Sequence, residues 1–372
     1  MKYYLIAGEA SGDLHASNLM RGLVQEDPQA SFRVWGGELM EAAGGDLVKH
    51  YRDLAFMGFW EVAKNIGTIL GNLRFCKQDI LKYQPDVLIL VDYPGFNLRI
   101  AKWAKKEGIK VFYYISPQIW AWHSSRVHGI KASIDRMFVI LPFEKAFYEK
   151  FDCEVDFVGH PLLDVTENYQ ANPDFRTINQ LPDKPLIALF PGSRKQEISR
   201  MLLGMLQIVD EFPDYHFVIA GAPAQPVSFY RPILEKVKAN NLTLVHQQSY
   251  DLLENAEAAL VTSGTATLET ALFRVPQVVC YQGNRLSYWI ARWLVNVKYI
   301  ALVNLIIDRP LVKELIQNEF TTKQIGYHLN QILQAGRAQE IKRGYEDLIS
   351  LLGKSGASSR AAKLMVDYLK QG

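Results

Sequence analysis

Short apolar runs, each closed by a polar turn and mostly followed by a helical pattern, recur along the chain. Such runs are typical of parallel strands that are covered on both faces. The helical patterns between them, such as 13–25 and 96–106, indicate β-α-β units. The predicted strands are Tyr3–Ala7, Phe32–Trp35, Val87–Val91, Lys110–Ile115, Arg136–Ile140, Val155–Val158, Leu186–Phe190, Tyr215–Ala220, Leu242–Val245, Ala258–Val261 and Gln277–Cys280. We therefore predict an α/β fold with two doubly wound, Rossmann-like domains.

The length of 372 residues is more than twice that of a usual domain, which supports a chain of two domains. The segment 165–185 is rich in Asn and Pro, a composition typical of a linker or loose loop. We place the boundary between the domains at 164/165.

The composition excludes several classes of protein. Hydrophobic residues make up 49% and charged residues 22% of the chain, as in folded globular proteins, and the net charge of +2 does not favour a nucleic-acid partner. The three Cys and eight His show neither C-x-x-C nor H-x-x-x-H spacing, so no disulfide framework or zinc site is predicted. Because G-x-G-x-x-G, the P-loop and a D-x-D at a strand end are also missing, we predict neither a cofactor nor a metal.

The N-terminal apolar run covers only residues 3–7 and continues into Gly8–Asp13, unlike a signal peptide. No stretch reaches about 18 uncharged apolar residues, so no transmembrane helix is expected. We expect a soluble or surface-bound protein of the reducing cytoplasm.

Turns that contain Gly and polar residues follow the carboxyl ends of several predicted strands, where ligands of such sheets bind. The candidate site residues are in these turns. In the first half they are Glu9, Ser11, Gly12, Asp13, Asp92, Ser116, Gln118 and Trp120. In the second half they are Gly192, Ser193, Arg194, Gly221-Ala222-Pro223, Thr262, Ser263, Gly264 and Thr265. We expect the function to lie where these edges face each other, in a cleft between the domains.

The stretch 258–273 predicts a strand, a tight polar turn and a helix, an arrangement that directs free backbone N–H groups at one point. A diphosphate fits there, with Thr265 or Thr267 as hydroxyl donors. Glu269, one turn further along the helix, is placed to bind ribose hydroxyls. Arg194 opens another predicted helix and can contact the same diphosphate.

A simpler interpretation of the same turn is an ordinary helix start with Thr262 or Ser263 as N-cap, and Arg194 is then a surface cation. The polar turn at 262–265, Arg194 and Glu269 together favour an enzyme that binds a nucleotide-sugar.

The chain resembles the lipid-A-disaccharide synthase family, inverting glycosyltransferases of the GT-B type. The matching stretches are Ala7–Asp13, Met57–Val62, Asp92–Asn97, Ser116–Trp122, Leu141–Glu144, Phe157–Pro161, Pro191–Arg194, Thr262–Glu269 and Tyr281–Asn304. They span residues 7 to 304 in the family's order, so the match is specific.

The resemblance implies transfer of the sugar of UDP-2,3-diacylglucosamine to the 6-hydroxyl of 2,3-diacylglucosamine 1-phosphate. The products are UDP and a β-1,6-linked disaccharide phosphate, the backbone of lipid A. It implies an acceptor domain at 1–164, to which the helices of 345–372 return, and a UDP-sugar domain at 165–344. It also implies that Asn304 lines the donor pocket and that Glu9, Ser11 and Asp13 line the acceptor side.

The catalytic base is open in this sequence. Some family members carry a second Asp three residues after the position of Asp92, and here that residue is Gly95. Asp92 is then the candidate base, with Glu9 and Asp13 as rivals. Alternatively, Asp92 only caps the helix that follows it.

The implied substrates are lipids, and two stretches are predicted to form amphipathic helices that can lie on a membrane, Phe56–Phe75 and Arg285–Lys298 with Trp289 and Trp293. The alternative is that both helices pack into the core. We expect peripheral association with the inner face of the cytoplasmic membrane of a Gram-negative-type bacterium, and an oligomer is compatible with the sequence.

Two other functions remain open. A UDP-sugar 2-epimerase shares this architecture but needs clustered carboxylates and His around the sugar. A nucleotide-sugar or lipid-binding protein without activity would bind the donor and not turn it over. For the last helix, the resemblance implies packing on the first domain, and Ser358-Ser359 is predicted to cap it.

Overall fold

The computed structural model describes residues 1–54, 66–122, 124–237, 239–283 and 298–371. The chain divides into two compact units. Unit 1 is Met1–Asp164 with Leu352–Gly372, and unit 2 is Val165–Leu351. Each is built around a parallel sheet with helices, so the predicted α/β class and the two Rossmann-like sheets are confirmed.

The sheet of unit 1 has the strand order β3-β2-β1-β4-β5-β6-β7. Its strands are β1 (Lys2–Ala7), β2 (Ser31–Gly36), β3 (Gly45–His50), β4 (Val87–Val91), β5 (Val111–Tyr114), β6 (Arg136–Val139) and β7 (Asp156–Phe157). The order reverses between β1 and β4, whose register pairs Ala7 with Val91.

The sheet of unit 2 has the order β10-β9-β8-β11-β12-β13. Its strands are β8 (Leu186–Phe190), β9 (His216–Gly221), β10 (Leu242–His246), β11 (Ala256–Thr262), β12 (Gln277–Tyr281) and β13 (Lys313–Ile316). Here the order reverses between β8 and β11, whose register pairs Phe190 with Val261.

Helices connect the strands and cover the sheets. They are α1 (Ala10–Glu26), α2 (Glu38–Ala42), α3 (Ile66–Tyr83), α4 (Pro94–Lys106), α5 (Ile119–Trp122), α6 (Val127–Ser133), α7 (Pro142–Glu149), α8 (Leu162–Glu167), α9 (Phe175–Ile178), α10 (Lys195–Leu206), α11 (Val227–Leu234), α12 (Ser249–Asn255), α13 (Thr265–Leu272), α14 (Leu302–Ile307), α15 (Thr322–Leu333), α16 (Ala335–Leu352) and α17 (Ala357–Lys370). In the described ranges, none of them has an apolar stretch long enough to cross a bilayer.

Successive residues of β1 belong to opposite faces of the sheet, and both faces are buried. Tyr4 and Ile6 join one apolar cluster. Tyr3 and Leu5 join another, which also contains Ala362 and Met365 of α17. This double burial explains why the strands have continuous apolar sequences instead of alternating ones.

The C-terminal helix α17 returns to unit 1 and packs along α1, as predicted. The predicted N-cap is wrong. Ser358 is buried, and the carboxylate of Asp164 accepts hydrogen bonds from the amides of Gly356, Ala357 and Ser358 instead. A distant carboxylate thus does what the local hydroxyl was expected to do.

The segment 165–185 is not the loose loop that its composition predicted. It contains α9, and Phe175 is fully buried in the core of unit 2. The Arg176 guanidinium donates to the carbonyls of Pro182 and Lys184 and to the side chain of Asn255. These contacts hold the segment against the second sheet.

Candidate functional site

The first group of predicted site residues lies where the strand order of unit 1 reverses. Glu9 follows β1 by two residues and Asp92 follows β4 by one, and these strands are neighbours with Ala7 opposite Val91. The reversal of strand order opens a crevice at this edge of a sheet, the usual ligand position in such folds. The structure therefore brings Glu9 and Asp92 together.

The backbone holds Asp92 in an unusual conformation. Asp92 (φ 45°) and Tyr93 (φ 48°) are both left-handed, which is uncommon for residues with a side chain and often marks a functional site. The Asn97 amide donates to the carbonyls of Val91 (3.2 Å) and Asp92 (2.8 Å). The Tyr113 hydroxyl donates to the carbonyl of Asp92 at 2.5 Å. These three hydrogen bonds hold the Asp92 turn in place.

The packing of the Tyr93 ring against Gly8 also holds this turn in place. The Tyr93 ring lies so close to Gly8 that a Cβ there would come within 2.3 Å of it. The Tyr93 hydroxyl also donates to the carbonyl of Leu54 at 3.0 Å. Glycine is therefore required at position 8 for the ring to hold the Asp92 turn in place.

The pKa of the Asp92 carboxyl is shifted by its surroundings. Burial raises this pKa, and the negative charge of Glu9 raises it further, to about 6. A base with a pKa near the working pH is ionised and still basic enough to take a proton.

Asp13 has a structural role, which corrects the prediction that it serves as a base. Its side chain is 2% exposed. The two carboxylate oxygens accept hydrogen bonds from the amides of Gly37 (2.8 Å), Leu39 (3.2 Å) and Met40 (3.1 Å). Asp13 therefore holds the start of α2 with both carboxylate oxygens.

The other residues predicted on the acceptor side differ in their exposure to solvent. Ser11 and Gln118 are exposed, Trp120 is half-buried and Gly12 is buried inside α1. Ser116 corrects its prediction, because its hydroxyl is buried, lies 2.7 Å from that of Tyr148 and donates to the carbonyl of Pro117.

Sequence reasoning missed the ionisable group beneath this loop, Glu144. Its buried carboxylate accepts from the amides of Leu141 (2.9 Å) and Ile140 (3.2 Å), and burial raises its pKa to about 7. The spacing Leu141-Pro-Phe-Glu144 was the available signal, because Pro at the first helical position marks a helix start and Glu three residues after the cap can accept the amide of the cap residue.

In unit 2 the turn after β8 contains Gly192 (φ 106°), Ser193 and Arg194. Arg194 is exposed and is the N-cap residue of α10. The carboxylate of Glu197 folds back over this turn and accepts the amide of Ser193 at 3.0 Å. The turn therefore holds a carboxylate of the chain itself, on a residue that sequence reasoning did not single out, and diphosphate binding here stays a prediction.

The turn after β11 is open. Gly264 has φ 147° and ψ −160°, a conformation that essentially only glycine adopts, and it is the N-cap residue of α13. Gly264 and Thr265 are exposed, and the Ser263 hydroxyl donates to the carbonyl of Ile300 at 2.8 Å. Neither Thr262 nor Ser263 caps the helix, so the N-cap of the simpler interpretation is wrong.

Thr267 corrects its prediction. The side chain is fully buried and its hydroxyl donates to the carbonyl of Gly264 at 2.8 Å, so this hydroxyl shapes the turn and cannot reach a diphosphate.

Glu269 is half-buried in α13, and one carboxylate oxygen accepts from the Tyr250 hydroxyl at 2.9 Å. Burial raises the pKa of this carboxyl. The rings of Tyr250, Tyr169 and Phe273 pack together beside it. Tyr250 follows the end of β10 by four residues, so the strand-end rule could have found it. In the part of the chain that the structure describes, the other carboxylate oxygen of Glu269 has no hydrogen bond.

The assignment of Asn304 to the donor pocket stays a prediction, and its side chain lines a cavity of unit 2. Asn304 is 1% exposed, and its amide group pairs with the backbone of Val312 (2.9 and 3.0 Å) and with Glu314 (2.9 Å). These contacts use its donors and its acceptor to join α14 to β13.

Metal and membrane predictions are tested only within the described ranges. No three His, Cys, Asp or Glu side chains lie together there as a metal site would require. Of the two amphipathic stretches, 56–65 and 285–297 with Trp289 and Trp293 lie outside the described residues. In the described part, Leu73 is buried and Leu70 is 56% exposed. Lys298 is exposed and forms an ion pair with Asp308.

Comparison with known proteins assigns this chain to a family. A family model described as "Lipid-A-disaccharide synthetase" matches residues 3–367. The lipid-A-disaccharide synthase of Syntrophus aciditrophicus (strain SB) is 39% identical over 373 residues, which cover 99% of this chain and 97% of that protein. That of Geobacter metallireducens (strain ATCC 53774 / DSM 7210 / GS-15) is 36% identical, covering 98% of this chain and 96% of that protein.

Among solved structures, the UDP-GlcNAc 2-epimerase of Neisseria meningitidis bound to UDP-GlcNAc has a TM-score of 0.66 and 13% sequence identity. The match covers 100% of both chains. At this identity the likeness shows the fold alone: two Rossmann-like domains, as in GT-B glycosyltransferases.

Proposed function

Because the chain belongs to the lipid-A-disaccharide synthase family, we propose that its two units divide one glycosyl transfer, with the acceptor bound by unit 1 and the UDP-sugar by unit 2. The chain is an inverting glycosyltransferase of lipid A biosynthesis. It joins UDP-2,3-diacylglucosamine to 2,3-diacylglucosamine 1-phosphate and forms the β-1,6-linked disaccharide 1-phosphate and UDP.

The observation that carries the division is the contrast between the two strand reversals. In unit 1 a carboxyl with a pKa near 6 lies beside a second carboxylate, which suits removal of a proton. In unit 2 two helices begin at the reversal, behind glycines with positive φ. Their amides and Arg194 suit a diphosphate.

In this proposal Asp92 takes the proton of the acceptor's 6-hydroxyl. The oxygen forms a bond to the anomeric carbon while the bond from that carbon to the UDP oxygen breaks. The electron pair of the broken bond leaves with UDP, and the proton remains on Asp92.

On the donor side, Arg194 and the amides at Gly264 and Thr265 stabilise the charge that develops on the leaving diphosphate. Glu269 accepts the ribose hydroxyls with its remaining oxygen. Glu197 now accepts the Ser193 amide, so it must turn away when the diphosphate binds to this turn.

The test is incubation of the purified protein with UDP-2,3-diacylglucosamine and 2,3-diacylglucosamine 1-phosphate, followed by mass analysis. A disaccharide phosphate and one UDP per transfer are expected, and UDP must appear only when the acylated acceptor is present. UDP release without acceptor, with an epimerised sugar, would support the 2-epimerase instead. Activity lost in EDTA and restored by Mg²⁺ would contradict the metal-free stabilisation of the leaving group.

The lipid substrates also require access to a membrane, and we propose peripheral association with the inner face of the cytoplasmic membrane. Exposed Leu70 (56%) and Phe75 (45%) on α3 support it. Co-sedimentation with anionic vesicles that weakens as salt rises is the expected result. The variant Leu70→Ser/Phe75→Ser should bind vesicles less, and unchanged binding would move the contact to another surface.

A further inference from the structure

A groove of about 590 Å³ lies in unit 1 between α4 and α6, apart from the carboxylate pair. Its volume is within the range of small-molecule sites. Three cations line it: Arg99 and Lys102 of α4, and Arg126 just before α6. All three are exposed, and no carboxylate is among the lining residues.

These cations have no anionic partner in the part of the chain that the structure describes. The ion pairs found there in unit 1 involve other basic residues, such as Arg33, Lys105 and Arg136. Three unpaired cations around one groove repel one another. An anionic ligand removes that repulsion and gains charge-assisted hydrogen bonds.

The groove also has an apolar wall. Ile130 of α6 is 2% exposed, and Leu98 of α4 is half-buried between the cations. On α4, Gly95, Leu98, Arg99 and Lys102 recur at helical spacing and share one face. A ligand that fits this surface carries an anionic group and an apolar part.

The groove starts two residues after the candidate base in the chain, although Asp92 itself does not line it. Pro94 and Gly95 line its mouth and follow Asp92 and Tyr93 directly in the chain. α4 follows β4 and α6 precedes β6, so α4 begins at the carboxyl edge of the parallel sheet and α6 leads back from it. A Cβ at Gly95 would meet no atom within 4 Å, which leaves this mouth open.

We propose that this groove binds the phosphate group of the acylated sugar acceptor, through Arg99, Lys102 and Arg126. The inference rests on the proposed function of unit 1. An acceptor held by its phosphate here presents its sugar toward Asp92. The three cations thereby set a preference for phosphorylated over unphosphorylated acylated sugars.

The experiment measures acceptor KM and kcat for Arg99→Gln, Arg126→Gln and the double variant. Each single change should raise the acceptor KM by about 10-fold, the lower end for a charge-assisted contact. Turnover at saturating acceptor and UDP affinity should stay at the wild-type level. Lys106→Gln is the matched control, because it removes the same charge from an exposed residue of α4 outside the groove.

A second substrate separates the phosphate from the rest of the acceptor. With 2,3-diacylglucosamine lacking the phosphate, the wild type should lose at least as much kcat/KM as the double variant loses with the phosphorylated acceptor, and Arg99→Gln should lose nothing further. If Arg99→Gln loses the same factor in kcat/KM with both acceptors, the proposal is overturned. Arg99 would then act on another part of the substrate or on the fold.

The phosphate of a bilayer phospholipid is the other source of the same chemistry. If the variants keep the wild-type acceptor KM and lose co-sedimentation with anionic vesicles, the groove binds lipid head groups and the proposal is wrong. Wild-type enzyme that forms no disaccharide with any acceptor would overturn the proposed function itself. Normal disaccharide synthesis with unchanged KM in all variants would overturn the groove alone.

Discussion

The two sheets place their candidate residues at the same topological position and equip it with opposite chemistry. At the β1/β4 reversal of unit 1, the side chains are the carboxylates Glu9 and Asp92. At the β8/β11 reversal of unit 2, the turns present backbone amides, glycines and Arg194. The fold rule gives the location in both cases, and the residues after each strand decide what binds there.

The two turns also differ in the type of residue that adopts a positive φ angle. In unit 1 the left-handed residues are Asp92 and Tyr93, and such residues cost about 1–3 kcal/mol each unless neighbours enforce the conformation. In unit 2 Gly192 and Gly264 adopt positive φ without that cost. A base needs a fixed side chain, whereas a diphosphate site needs accessible amides.

Among the variants that test this comparison, Asp92→Asn should have the largest effect. The amide keeps the size of the side chain and its tolerance of a left-handed backbone, but it cannot accept a proton. We expect turnover to fall by at least about 100-fold, while UDP affinity by calorimetry stays near wild type because the donor residues lie in the other unit. A variant that keeps most of its turnover would move the role to Glu9.

The same variant should be more stable than the wild type at neutral pH. The folded pKa of about 6 lies above the ordinary value of 3.8, so the folded state holds the proton more tightly than the unfolded state. The stabilising contribution is complete below about pH 4 and is lost as pH rises through 6. The neutral amide of the Asp92→Asn variant avoids this loss, at most about 3 kcal/mol.

Chemical unfolding at pH 7.5 and at pH 4 measures this difference. The variant should have the higher midpoint at pH 7.5, and the two proteins should converge at pH 4. A wild type that is equally stable at pH 7.5 would show that Asp92 is not held against a burial penalty.

In unit 2, Arg194→Ala and Glu269→Ala should each weaken UDP binding by roughly 10- to 150-fold, the effect of losing one charge-assisted contact. Arg343→Ala, another exposed Arg of unit 2, is the control and should bind UDP like the wild type. Unchanged affinity in both test variants, measured by calorimetry, would remove the donor assignment from this reversal.

The sequence was sufficient for the strands buried on both faces, because their apolar runs are continuous. It missed β3 (Gly45–His50) and β13 (Lys313–Ile316). Both are edge strands with polar residues among the apolar ones, so their periodicity is weak. It also misjudged 165–185, where buried Phe175 anchors a segment whose composition alone indicates a loop.

The positions of the site residues were predictable from the strand ends, but their contacts were not. Asp13 and Asn304 have the residue types of a binding site, yet backbone groups of other elements contact their polar atoms. Tertiary partners of this kind leave no local pattern. Glu197 is a different case: its contact with Ser193 is local, but it depends on the turn geometry at Gly192.

The smallest effect is expected at Glu9, and it tests whether the two carboxylates of unit 1 act as a pair. Glu9 raises the pKa of Asp92 through its negative charge, so Glu9→Gln should lower that pKa. Asp92 must be ionised to take a proton. In the wild type, kcat/KM should therefore fall about tenfold per pH unit below about pH 6, and in Glu9→Gln this fall should begin at a lower pH.

Above pH 7 the variant should be modestly slower, since a weaker base takes the proton less readily. Its disadvantage should shrink or reverse near pH 5, where more of its Asp92 is still ionised than in the wild type. Glu107→Gln removes the same charge from the end of α4, next to no site residue, and should leave the profile unchanged. An acid limb at the same pH in Glu9→Gln and wild type would mean that Asp92 titrates alone, and that burial by itself makes it the base.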